Sequence, residues 1–124
     1  METFRTVVEV ENPAHRGMRR TLQSVLVDTG AELSWVPAHI LESLGVVRDK
    51  LLRFRQANGS VLERATGFAI VHAGGTLTVD EVVFGEPDDM ILLGARSLEG
   101  LNLRVDPVRK QLVDAGPAPA AAAA

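Results

Sequence analysis

The stretch VLVDTGAELSWV, residues Val25–Val36, decides how this chain of 124 residues is interpreted. The apolar run Val25–Val27 precedes Asp28, so the aspartate stands where a buried strand leaves the core. A carboxylate buried there without compensation is costly, so the site must supply a partner or a proton. Gly30 allows a tight turn, and the Thr29 hydroxyl can fix it by bonding to the backbone. Taken alone, however, Asp-Thr-Gly more often marks an ordinary turn at the end of a strand.

The sequence around this stretch predicts an all-β domain. Apolar and polar residues alternate in several short segments, and turn signals such as Asn58-Gly59 and Gly74-Gly75 separate them. Two short helices are predicted at 37–44, which begins with a proline and is followed by a glycine, and at 95–100. This combination indicates a closed, mostly antiparallel β-barrel decorated by two short helices.

The unit of strand, turn and helix occurs twice along the chain. Val25–Ala31 leads into the first predicted helix, and Met90–Ala95 leads into the second. Two such copies suggest a domain with pseudo-twofold symmetry. The second copy has Leu93-Gly94 where the first has an aspartate, so the chain contains a single Asp-Thr-Gly.

Length and composition are those of one globular domain. Hydrophobic residues make up 46% of the chain and charged residues 23%, which argues against wholesale disorder. The final stretch, AGPAPAAAAA, has no large apolar residue to bury, and its prolines oppose a helix. We therefore expect a folded domain at residues 1–114 and a disordered Ala/Pro tail at residues 115–124.

Composition also argues against several classes of function. A formal net charge of −3 gives no electrostatic reason to bind nucleic acid or an anionic membrane. The chain has no cysteine, and His15, His39 and His72 lie far apart in sequence, so neither a metal nor a cofactor is predicted. No apolar run suffices for a transmembrane helix and no secretory signal is visible, which makes the cytoplasm the expected location.

Three motifs in order resemble the retropepsin-like aspartic proteases, which include the retroviral enzymes and related domains of bacterial and DNA-damage-inducible proteins. These motifs are Val25–Val36, the candidate flap hairpin Gln56–Val61 and the apolar-apolar-Gly element Leu92–Gly94. The resemblance covers roughly residues 1–114. It implies the closed acid-protease β-barrel, hydrolysis of peptide bonds and a catalytic motif formed by Asp28, Thr29 and Gly30.

An aspartic protease needs two carboxylates close together. One takes a proton from water while the other, protonated, donates to the scissile carbonyl. A monomer with one Asp-Thr-Gly cannot assemble this pair. The resemblance therefore implies a homodimer, with Asp28 of each chain facing the other across a twofold axis, that cleaves an extended peptide or protein substrate. The alternative is a catalytically silent barrel of the same ancestry, used for peptide binding or dimerisation.

The resemblance also assigns residues to substrate binding, and each has a structural alternative. The Asn58-Gly59 hairpin can close over a peptide or be an ordinary surface hairpin. Glu32 stands where retroviral relatives carry an acid that binds the substrate backbone, or it faces solvent. Trp35 and Leu92 either line a pocket or pack in the core. The expected substrate-binding residues are Ala31, Glu32, Trp35, Ala57, Asn58, Gly59, Ser60 and Leu92.

The sequence departs from the retroviral pattern directly after Gly94. Retroviral enzymes usually carry an arginine there that braces the dimer, whereas this chain has Ala95, with Arg96 one position late. This departure bears on how a dimer would be held together more than on the catalytic residues.

Overall fold

The computed structural model describes residues 4–120. Strands predominate in this part of the chain, which confirms the prediction of a mostly β domain. The elements in chain order are β1 Phe4–Asn12, β2 His15–Val27, β3 Ser34–Pro37, α1 Ala38–Ser43, β4 Lys50–Arg55, β5 Val61–Ala73, β6 Thr76–Gly85, β7 Leu92–Leu93, α2 Ala95–Leu101, β8 Leu103–Asp106 and β9 Gln111–Asp114. Neither helix in this range has the length and hydropathy needed to span a membrane.

The strands form one large sheet and one small one. The seven-stranded sheet has the order β1-β2-β7-β3-β6-β5-β4, and β1 also pairs with β5. The pairs β2–β7 and β3–β6 are parallel, and the other pairings are antiparallel, as the sequence predicts. The β1–β5 pairing links six strands into a ring of neighbours, while closure into a barrel stays a prediction. Strands β8 and β9 form the small sheet.

The two strand-turn-helix units of the sequence lie side by side. Strands β2 and β7 run parallel, with Leu26 opposite Leu92 and Val27 opposite Leu93. Strand β3 pairs with β7 on its other side. The turns that follow β2 and β7 therefore emerge at the same edge of the sheet, and this places Asp28 beside Gly94.

The core is built from both the sheet and the helices, and residues with a positive φ mark where the helices end. Apolar side chains from both sheet and helices fill it, among them Val10, Leu41 and Leu93 at 1% exposure or less. Helix α1 ends before Gly45, whose φ of 77° suits glycine. Helix α2 runs one residue past the predicted end at Gly100, because Asn102, with a φ of 56°, adopts the left-handed conformation that ends it.

The first two residues of the predicted tail, Ala115 and Gly116, form hydrogen bonds with the domain. The Ala115 N–H donates to the carbonyl of Asn102, and the Asn102 side-chain amide donates to the carbonyl of Gly116, at 2.9 and 2.8 Å. The described residues that follow, up to 120, form no helix or strand. Disorder of the tail stays a prediction, and residues 1–3 of the predicted domain and 121–124 of the tail lie outside the described range.

Candidate active site

Asp28 is the first residue of the loop that joins β2 to β3, residues 28–33. Its N–H donates to the carbonyl of Leu93 at 3.0 Å, which extends the β2–β7 pairing by one step. Its Oδ1 accepts from the N–H of Gly30 at 2.9 Å, and its carbonyl accepts from the N–H of Ala31 at 3.2 Å. The half-buried aspartate is therefore held in place by its own turn and by the neighbouring strand.

The start of α2 holds this loop through two backbone hydrogen bonds. The N–H of Ala95 donates to the carbonyl of Ala31 at 2.8 Å, and the N–H of Arg96 donates to that of Glu32 at 3.0 Å. Gly94 is required for this approach, because a Cβ there would lie 2.5 Å from the carbonyl oxygen of Leu33. The apolar-apolar-Gly element thus positions the Asp28 loop.

Asp28 lies in a groove of about 660 Å³. Seven residues that the sequence assigned to the site line it, namely Asp28, Gly30, Ala31, Glu32, Trp35, Ala57 and Leu92. The other assigned residues, Thr29, Asn58, Gly59 and Ser60, are not part of the lining. Gln56, the first residue of the candidate flap hairpin, also lines the groove. The lining residues that the sequence did not assign are Leu33, Phe54, Arg55, Leu62, Asp88, Asp89 and Met90.

The tip of the hairpin between β4 and β5 is organised by its own hydrogen bonds. The N–H of Gln56 donates to the carbonyl of Ser60 at 2.8 Å, and Gly59 turns the chain with a φ of 87°. Asn58 Oδ1 accepts from the Ser60 N–H and from its hydroxyl, at 2.9 and 2.6 Å. The Asn58-Gly59 turn is therefore where the sequence predicts it, and in the single chain its exposed tip lies beyond the groove.

The apolar wall of the groove comes from strands on both sides of it. Trp35 on β3 is half-buried and lies opposite Leu92 of β7. Phe54 on β4 lies opposite Leu62 of β5. Alternation of apolar and charged residues in Leu52–Arg55 was the sequence signal that could have identified Phe54. Trp35 and Leu92 thus contribute to the groove rather than to the fully buried core.

A pair of opposite charges holds the loop of residues 86–90, which contributes Asp88, Asp89 and Met90 to the groove. Arg64 on β5 donates to both carboxylate oxygens of Asp89, at 2.7 and 3.0 Å. The N–H of Glu86 donates to the same carboxylate at 2.8 Å. Hydrogen bonds from Arg64 lower the pKa of Asp89, against the opposing effect of burial. This pairing fixes the backbone that carries Asp88 and Met90 into the groove.

Glu32 and Arg96 form an ion pair at the rim, with 2.9 Å between Oε1 and Nη2. Both side chains are more than half exposed, so the pair contributes little to stability by itself. Arg96 stands one position later than the arginine of the retroviral pattern. It nevertheless contacts Glu32 of the Asp28 loop. Within residues 4–120 no three His, Asp or Glu side chains are placed to hold a metal ion.

Asp28 and Gly30 of the Asp-Thr-Gly motif thus line a groove in a mostly β domain. Residues 20–100, more than half of the chain, match the family described as "gag-polyprotein putative aspartyl protease". The chain therefore belongs to this family, and the resemblance to the retropepsin-like enzymes is confirmed.

Solved structures give an independent comparison. Matches to 17 chains include the solution structure of the simian foamy virus (mac) protease, at 19% identity and a TM-score of 0.51. That alignment covers 77% of this chain and 91% of the viral one, and at this identity it shows the fold. A search of curated proteins gave no match.

Proposed function

We propose that the protein is a homodimeric aspartic endopeptidase in which the two Asp28 carboxylates, one from each chain, activate a water molecule. The observation that carries the proposal is the placement of Asp28, half-buried in a groove and held by its hydrogen bonds with the backbone of residues 30, 31 and 93. A reacting carboxylate must be held in one geometry, and this loop supplies that constraint. The ring of strand pairings supports closure of the sheet into a barrel.

The reaction follows from two carboxylates that share one proton, as is general for aspartic proteases. The ionised Asp28 takes a proton from water as the water oxygen attacks the scissile carbonyl carbon, and the protonated Asp28 of the other chain donates to the carbonyl oxygen. Collapse of the tetrahedral intermediate breaks the C–N bond, and a proton passes to the leaving nitrogen.

The groove favours apolar substrate side chains. Trp35, Phe54 and Leu92 line it together with Asp28, and Met90 adds a flexible apolar contact. An extended peptide in such a groove would place alternate side chains against these residues. We therefore expect cleavage next to large apolar residues, and cleavage found only beside charged residues would contradict this.

Two measurements on the purified chain test the proposal. Hydrolysis of a fluorogenic peptide library at mildly acidic pH, with and without a statine-type inhibitor, should show activity that the inhibitor abolishes. Sedimentation should give twice the monomer mass of 13.3 kDa. A strictly monomeric protein would exclude the shared pair. A dimer that binds the inhibitor without cleaving any peptide would favour the silent peptide-binding module.

A further inference from the structure

Four successive residues, 93–96, bind the Asp28 loop and the residue that follows it. Three of them make backbone hydrogen bonds with residues 28, 31 and 32. The fourth, Gly94, donates its N–H to the hydroxyl of Ser34 at 3.0 Å. Ser34 begins β3, directly after the loop. Of these four hydrogen bonds, the one from Gly94 therefore depends on a side chain.

Ser97, in the first turn of α2, makes a second contact with the Ser34 hydroxyl. The two hydroxyl oxygens are 2.6 Å apart, and either can be the donor. Ser34 and Ser97 are only 2% and 1% exposed, so each depends on protein partners for its hydrogen bonds. The contact with Ser97 therefore restrains the Ser34 hydroxyl in the position that accepts from Gly94.

The N–H of Gly94 has no acceptor besides Ser34 in the described part of the chain. Gly94 is buried, and a Cβ on it would lie 2.5 Å from the carbonyl oxygen of Leu33, so the backbone packs tightly here. In Ser34→Ala this donor would be buried without an acceptor, which is unfavourable. The variant can restore a partner by a shift of segment 93–96 relative to the Asp28 loop.

We propose that Ser34 is a positioning residue for Asp28, acting through Gly94. The N–H of Asp28 is bonded to segment 93–96, and its Oδ1 accepts from the N–H of Gly30 within the same turn. A shift of that segment therefore moves the carboxylate together with its turn. A displacement of about 1 Å can lower the rate of an enzyme about a hundredfold. The inference rests on the proposed function only in naming Asp28 as the reacting group.

Amide hydrogen exchange followed by NMR tests the proposal without requiring activity. The probes are the hydrogen-bonded amides of residues 28, 30, 31, 95 and 96, and the amides of the β5–β6 pairing are the reference set. Ser34→Ala removes the acceptor of Gly94, and Ser34→Thr keeps a hydroxyl. Ser97→Ala removes the second contact of Ser34. Asn12→Ala, the control, removes buried hydrogen bonds with residues 14 and 44, neither of which bonds to the Asp28 loop.

Ser34→Ala should speed exchange of the probe amides about tenfold relative to the reference amides, as expected for the loss of one hydrogen bond. Ser97→Ala should give a smaller selective acceleration, and Ser34→Thr should stay close to wild type. Asn12→Ala should change both sets by the same factor. Probe amides that exchange at the wild-type rate in Ser34→Ala, or in step with the reference set, would overturn the proposal. Should Ser34→Ala fail to fold, Ser97→Ala carries the same comparison.

Peptide hydrolysis provides a second readout. Because Ser34 does not line the groove, Ser34→Ala should lower kcat about tenfold and leave KM nearly unchanged, with recovery in Ser34→Thr. An unchanged kcat, or an effect on KM alone, would contradict a role in positioning Asp28. A wild-type protein that hydrolyses no peptide would refute the proposed function, and the exchange pattern would still decide whether Ser34 holds the Asp28 loop in place.

Discussion

The indole ring of Trp35 packs against the phenyl ring of Phe54, with centroids 5.0 Å apart and ring planes inclined by 57°. Trp35 lies on β3, next to the loop of Asp28, whereas Phe54 lies on β4, the strand that leads into the hairpin tip. Tilted aromatic pairs contribute about 0.5–1.5 kcal/mol beyond the burial of their surface. The contact therefore couples the wall of the groove to the base of the hairpin.

Phe54→Ala should loosen that coupling and weaken substrate binding. Trp35 is the only tryptophan of the chain, so its fluorescence reports on the groove alone. We expect its emission to shift to longer wavelength as the indole becomes hydrated, and KM to rise about two- to tenfold. Phe54→Leu, which keeps apolar cover, is the control and should show smaller changes. Unchanged emission in Phe54→Ala would show that the pair does not persist in solution.

Arg64→Met should release the loop of residues 86–90 from β5. Asp89 is 12% exposed, and without Arg64 its charge stays partly buried and unpaired, at a cost of about 1–3 kcal/mol. Thermal unfolding should show the loss, and KM should rise because Asp88 and Met90 leave their places in the groove. Arg104→Met, at an exposed position on β8, is the control.

Adding Asp89→Asn to Arg64→Met separates the effect of the unpaired Asp89 charge from the effect of losing the Arg64 packing. The double variant should regain part of the lost stability, because it no longer buries an unpaired carboxylate. The pKa of Asp89 is lowered in the folded protein, so the stability that this pair contributes is present at neutral pH and is lost as pH falls through that lowered pKa. A double variant less stable than Arg64→Met would contradict this account.

Local sequence signals predicted the elements that a few neighbouring residues determine. The turn at Asn58-Gly59, the end of α1 before Gly45 and the polar loop after Val27 each depend on such residues. The end of α2 was displaced from Gly100, because that glycine lies against the Thr78 side chain inside the helix rather than ending it.

Contacts between residues that lie far apart in the sequence could not be predicted from local signals. Ser34 and Ser97 are 63 positions apart, and Arg64 and Asp89 are 25 apart. Nothing near any one of these residues in the sequence identifies its partner, since strand order brings them together.

Glu11 should make folding sensitive to acid. Its carboxylate is 1% exposed and accepts from the N–H of Gly17, from His72 Nε2 at 2.8 Å and from Arg16 Nε at 3.0 Å. These hydrogen bonds, that of Gly17 first, lower the pKa of Glu11 from 4.5 to about 2 although burial opposes them. The stability it contributes is therefore present above pH 4.5 and is lost as pH falls towards 2.

Urea unfolding of Glu11→Gln between pH 2 and pH 7 measures this contribution. The unfolding midpoint should be lower than wild type at neutral pH, and the two proteins should converge near pH 2. Glu9→Gln is the matched control on the same strand, because Glu9 is 41% exposed and pairs only with Arg19 in the described structure. A difference that stays constant across the pH range would show that packing, rather than charge, is what Glu11 provides.

Asp28→Asn should abolish cleavage and leave the dimer intact. Asparagine matches the shape of aspartate but cannot exchange a proton with water, so activity should fall by about a hundredfold or more. At neutral and alkaline pH the two aspartates of a wild-type dimer repel each other when both are ionised, and the variant lacks this repulsion. Its dimer should therefore be at least as tight as that of the wild type. Sedimentation of both proteins across pH, with Asp49→Asn at an exposed position as control, decides the matter. A variant that becomes monomeric while the wild type stays dimeric would show that Asp28 does not lie at a shared twofold site.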